Sequence, residues 1–79
     1  MRMEVEVPDL GDGVTDCFVV EWLKKTGDWI DEGDALVEVM TDKSNVEIPA
    51  PAAGTVTEIL VDADSRVKVG QPIAVLERA

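Results

Sequence analysis

Val39-Met40-Thr41-Asp42-Lys43-Ser44-Asn45-Val46-Glu47-Ile48 is the stretch on which the rest of the chain turns. Before it runs Ala35-Leu36-Val37-Glu38, so β-branched and apolar residues fill two arms and polar residues fill the gap between them. That is the pattern of a β-hairpin. Asp42 and Lys43 are expected as the central pair of a tight, type I-like turn. Such a turn sends a lysine off the end of a two-stranded ribbon, with its amine held away from the body. Most loop lysines are only solvated charges. This one lies near the middle of a 79-residue chain, and what flanks it repeats.

The repeat has an offset of 37 positions, which sets Gly33 on Gly70, Val19 on Val56, Glu21 on Glu58, Leu23 on Leu60, Ile30 on Val67 and Leu36 on Ile73. The order strand, turn, short strand, glycine turn, strand occurs twice. Neither half can bury its own apolar face, so the halves are expected to close on each other. The fold predicted is all-β: a flattened barrel or sandwich of two antiparallel sheets with a quasi-two-fold internal repeat. Strands are expected at 3–7, 16–24, 29–30, 35–41, 44–49, 54–61, around Val67, and at 72–77. Met3, Val5 and Val7 should face inward, and the run Phe18-Val19-Val20 reads as apolar on both faces. Pro8 ends the first strand, and Pro49-Ala50-Pro51 stops the hairpin's second arm. Leu23-Lys24-Lys25 is the only helical candidate, and Gly27 cuts it short. The hairpin tip should lie at the end opposite the termini.

Length allows one domain, 1–79, with a small core; a chain of this size buries only about 60% of its unfolded surface. Histidine is absent, which excludes a Cys/His zinc site and a His-based triad. Cys17 is the only cysteine and cannot pair within the chain; its apolar surroundings suit a small core residue. Trp22 and Trp29 are likewise expected in core packing. Seventeen acidic against seven basic residues give a net charge of −10. That surface disfavours nucleic acid and anionic membranes, and favours basic protein surfaces. No leader and no membrane-spanning run is evident, so an intracellular domain is expected, cytoplasmic or, in a eukaryote, in the mitochondrial matrix. Asp9-Leu10-Gly11-Asp12-Gly13 should be a surface loop beside the hairpin. Its GxG lacks the third glycine, the Lys-Ser/Thr and the helix of a phosphate loop. Asp9, Asp12, Glu38 and Glu47 read as solvated charges, since nothing sets two of them in a cleft for acid–base work. The domain has no evident catalytic site of its own.

Val39-Met40-Thr41-Asp42-Lys43-Ser44 with Val46-Glu47-Ile48-Pro49-Ala50-Pro51 resembles the lipoyl-lysine hairpin of lipoyl domains from the acyltransferase component of 2-oxo acid dehydrogenase complexes. Pro8-Asp9-Leu10-Gly11-Asp12-Gly13-Val14-Thr15-Asp16 resembles that family's first loop, and Val69-Gly70-Gln71-Pro72-Ile73 its late turn. Met40 stands where the family often has glutamate, and Ser44 where it often has alanine. The resemblance implies lipoic acid in amide linkage to Lys43, with Asp42 as a flanking recognition residue. Asp9, Leu10, Gly11, Asp12, Gly13, Thr41 and Ser44 would then form the surface read by partners. It implies reductive acylation by a thiamin-dependent decarboxylase, delivery to coenzyme A in the acyltransferase core and reoxidation by dihydrolipoyl dehydrogenase. A lipoate-protein ligase would attach the cofactor, and the isolated domain would be monomeric. The alternatives are a biotinyl carrier, whose lysine is bracketed by methionines, the longer lipoyl carrier of glycine cleavage, and an unmodified structural or adaptor sandwich.

Overall fold

Alternation builds the strands, and the computed structural model describes residues 1–11 and 13–79. In β1 (Arg2–Glu6) Val5 is buried while Glu4 and Glu6 face water. β2 (Asp16–Trp22) buries Cys17 and Val19. Its other face departs from expectation, because Phe18 and Val20 are exposed. β2 is an inner strand of a sheet with one face on the core, so strict alternation prevails over the apolar run. There follow β3 (Trp29–Ile30), β4 (Ala35–Met40), β5 (Asn45–Pro49), β6 (Gly54–Ile59), β7 (Arg66–Lys68) and β8 (Pro72–Arg78). Among the described residues there is no helix. β2 stops two residues short of the expected Lys24, although the Leu23 N–H still donates to the Leu36 carbonyl.

The strands form two four-stranded antiparallel sheets, ordered β1-β8-β6-β3 and β5-β4-β2-β7. Exchanging β1 with β5, β2 with β6, β3 with β7 and β4 with β8 converts one order into the other. Each sheet therefore takes two strands from each half, and neither half is a sheet by itself. The repeat extends to single bonds. Val19 opposes Val39 and Glu21 opposes Glu38 across a bulge; 37 residues on, Val56 opposes Leu76 and Glu58 opposes Val75 across another. The Gly27 N–H donates to the Val56 carbonyl, and the Asp64 N–H returns the bond to Val19.

Ile30, Leu36, Val39, Val56, Val67, Ile73 and Leu76 are completely buried between the sheets. Each contributes roughly 1.5–3 kcal/mol relative to an exposed side chain. Trp22 half-buries its ring against this core and donates from Nε1 to the Val61 carbonyl at 2.9 Å. Trp29 corrects the expectation of core packing: it is 52% exposed, and its Nε1 donates to Asp31. A two-residue edge strand can send only one side chain inward, and Ile30 takes that place. Gly54 is required by close approach, since a Cβ there would collide with the Glu77 carbonyl oxygen of the neighbouring strand.

The pairings also place the ends. Arg2 opposes Glu77, the Arg78 N–H donates to Met1, and the Ala79 N–H donates to Ala53. The termini thus lie together beside the connector that follows β5, at the hairpin's base, where Ala35 opposes Pro49. The tip at 41–44 is at the other end of the hairpin, next to the start of β2, where Phe18 opposes Met40.

Candidate functional site

Thr41 holds the hairpin tip through its hydroxyl and its backbone N–H. Thr41 Oγ1 accepts the backbone N–H groups of Lys43 and Ser44, each at 3.2 Å, and donates to the Ser44 carbonyl at 2.9 Å. The Thr41 N–H donates to that same carbonyl at 2.9 Å. Among the described non-glycine residues only Asp64 has a positive φ, so Asp42 and Lys43 turn the chain without the left-handed geometry of the primed turns. The Ser44 N–H meets the Thr41 side chain, as in the hydroxyl-closed turns that Ser and Thr form. Thr41 was expected as a surface contact, and its role in holding the turn was not foreseen. The signal for it was a threonine at the first position of a four-residue tip. One step below, Asn45 Nδ2 donates to Glu38 Oε2 at 3.1 Å and ties the two arms.

Asp42, Lys43 and Ser44 are exposed, and Thr41 is half-buried. Among the described residues no carboxylate lies within ion-pair distance of Lys43 Nζ. Lys43 is therefore presented to solvent on a hydrogen-bonded tip.

The loop after β1 reaches the hairpin from both flanks. Asp9 Oδ1 accepts the Gly11 N–H at 3.0 Å and shapes the loop's entry, while Gly11 is exposed with a φ of 118°. Leu10 packs against the core and shares a groove with Val46 and Glu47 of β5. Gly13 lines a hollow with Phe18, Met40, Thr41 and Asp42 on the β2 side. Asp12, also expected in this surface, lies outside the described residues. Phe18 and Met40, cross-strand partners 47% and 46% exposed, add an apolar patch below the tip. Reading the run Phe18-Val19-Val20 as apolar on both faces did not say which face meets water; alternation from Cys17 and Val19 was the signal for it.

Among the described residues no group of His, Cys, Asp or Glu is placed to hold a metal, and no helix is long and apolar enough to cross a membrane. Burial, and secondly the Asp16 carboxylate, holds the Cys17 thiol above its ordinary pKa. It is a core residue and no nucleophile.

Fold and tip together define a carrier-type domain: a two-sheet barrel that presents one lysine. Residues 3–76 match the family described as biotin-requiring enzyme. The dihydrolipoyllysine-residue acetyltransferase component of the pyruvate dehydrogenase complex of Corynebacterium glutamicum is 49% identical over 90% of this chain. The dihydrolipoyllysine-residue succinyltransferase component of the 2-oxoglutarate dehydrogenase complex of Staphylococcus saprophyticus is 47% identical over 92%. The chain spans 10% and 17% of the length of those two relatives. Among solved structures, the lipoyl domain of the 2-oxoglutarate dehydrogenase complex from Azotobacter vinelandii superposes with a TM-score of 0.75 at 26% identity, covering 96% of both chains. A single-chain, multi-domain long-chain acyl-CoA carboxylase gives 0.84 at 23% identity, over 99% of this chain and 7% of that one, which shows the fold alone. The chain belongs to the biotinyl/lipoyl attachment family and is a lipoyl domain. Domains of that kind carry lipoic acid covalently on a lysine.

Proposed function

We propose that Lys43 is the attachment point and that the domain moves a lipoyl group between the active sites of a 2-oxo acid dehydrogenase complex. The observation that carries this reading is the exposed Lys43, with no ion-pair partner among the described residues, on a tip closed by Thr41. A primary amine is what an amide linkage needs, and the flanking residues Asp42 and Ser44 differ from the methionine bracket of biotinyl carriers. When attached, the dithiolane supplies the acyl-accepting and redox chemistry, which this chain's own side chains do not offer. The chain's part is positional. It fixes the amine on a rigid ribbon, keeps it at the end opposite the termini, and surrounds it with a surface that partners can read. Asp42, Thr41, Ser44 and the loop residues Asp9, Leu10, Gly11 and Gly13 are the ones we assign to that surface. A tethered carrier raises its local concentration at several sites without tight binding at any.

The partners of this reading are a lipoate-protein ligase, a thiamin-dependent 2-oxo acid decarboxylase, dihydrolipoyl dehydrogenase and the acyltransferase core. Expression with lipoate and its ligase, followed by intact mass and peptide mapping, tests it. One lipoyl group on Lys43 is expected, with the formal net charge falling by one from −10. Lys43→Arg should fold and remain unmodified. Attachment at Lys24, Lys25 or Lys68, or biotin in place of lipoate, would overturn the proposal.

A further inference from the structure

The two sheets leave β1 and β5 as open edges on one side of the sandwich. Between them lies a groove of about 640 Å³. Its floor is apolar, with buried Val5 and Ile48 flanked by half-buried Leu10 and Val46. Its rim is acidic: Glu4, Glu6, Asp9 and Glu47 all line it and are exposed, and no lysine or arginine does. Among the described residues none of these four carboxylates forms an ion pair. Each open edge also offers backbone N–H and C=O groups that no neighbouring strand takes up.

We infer that this groove is a docking site for a basic, extended segment of a partner protein, with apolar residues on the floor and Lys or Arg against the rim. Charge complementarity selects the occupant. An acidic segment, a nucleic acid or a second copy of this −10 chain would meet four carboxylates that have no ion-pair partner among the described residues, whereas an alternating basic strand satisfies both floor and rim. An extended chain fits because side chains at every second position face the same way, matching the alternation of Glu4, Val5 and Glu6. Lys43 is not among the lining residues, so the site stands whether or not that lysine is modified.

The probe is a blocked peptide of about eight residues alternating arginine and valine, the length of an ordinary strand. It is titrated into the ¹⁵N-labelled 79-residue domain, with an otherwise identical glutamate–valine peptide beside it. Amide shifts should concentrate on residues 3–10 and 46–51, weaken with added salt, and be absent with the acidic peptide. Glu4→Lys/Glu47→Lys should bind about tenfold more weakly. Glu21→Lys/Asp62→Lys makes the same change in net charge outside the groove and should stay within about twofold of the parent. Glu4→Gln/Glu47→Gln gives the same contrast, more mildly, should the reversal fail to fold. Equal losses in the rim and control variants, or shifts centred elsewhere, would reduce the interaction to general attraction and overturn the site. No binding would mean that the carboxylates only guard two open edges.

Discussion

Thr41 shows how much one side chain settles at the residue scale. Its oxygen takes two N–H groups and gives its proton to Ser44, so this hydroxyl closes the turn that carries Lys43 together with the Thr41 N–H bond to the same carbonyl. Thr41→Val keeps the shape and removes all three bonds. It should lower stability by about 1 kcal/mol, since the freed groups are near water, and slow lipoylation more than that loss explains. Thr41→Ser should restore both, as melting curves beside a mass-based rate assay would show. Cys17 supplies a second expectation. Its folded pKa is raised, so its contribution to stability is complete while the unfolded thiol is still protonated. As pH climbs past about 8.5 the unfolded chain loses that proton first, and stability falls until the folded thiol has titrated as well. Melting temperatures measured from pH 7 upward should therefore fall more steeply for the parent than for Cys17→Val.

The hairpin and the turns act at the scale of elements. Exchanging the central residues, Asp42→Lys with Lys43→Asp, preserves composition and charge but moves the amine to a position with a different direction. Both sites are exposed, so stability should change by no more than about 0.5 kcal/mol, while lipoylation largely disappears. Matched circular dichroism and melting curves beside intact mass would check both halves, and full lipoylation would show that any exposed tip lysine serves. The turns also show what a repeat conceals. Gly27 and Asp64 occupy equivalent places with φ of 95° and 70°, so the second half performs with aspartate what the first performs with glycine. Aspartate tolerates that region, and for this reason the equivalence was invisible to a match of residue types. Trp29 was misplaced because side-chain size suggested the core, whereas its position on a two-residue edge strand decided its exposure.

For the whole molecule, the quasi-two-fold relation makes the gap between the termini the counterpart of the Lys43 hairpin tip. Glu77 opposes Arg2 across that gap and the Met1 amine meets the Glu77 carboxylate at 2.9 Å. A circular permutant joining 79 to 1 through about four residues, and opened in the exposed turn at 62–63, should keep the strand content and a cooperative melt. Loss of the β-sheet signal would show that chain order, beyond the repeat, is needed to pair the halves. The sequence by itself determined the all-β class, the eight strand positions to within a few residues, the 37-residue repeat and the hairpin with Lys43 at its tip. Those follow from alternation, β-branching and turn residues, which act over a few neighbours along the chain. Tertiary structure alone decided that each sheet draws two strands from each half and that Leu10 and Gly13 reach the hairpin from opposite flanks. The acidic groove belongs with them, because it lies between residues more than 35 positions apart that meet only when the two edges are set side by side. Local pattern selects a strand's inner face; which strand lies beside it depends on how the whole chain closes its core.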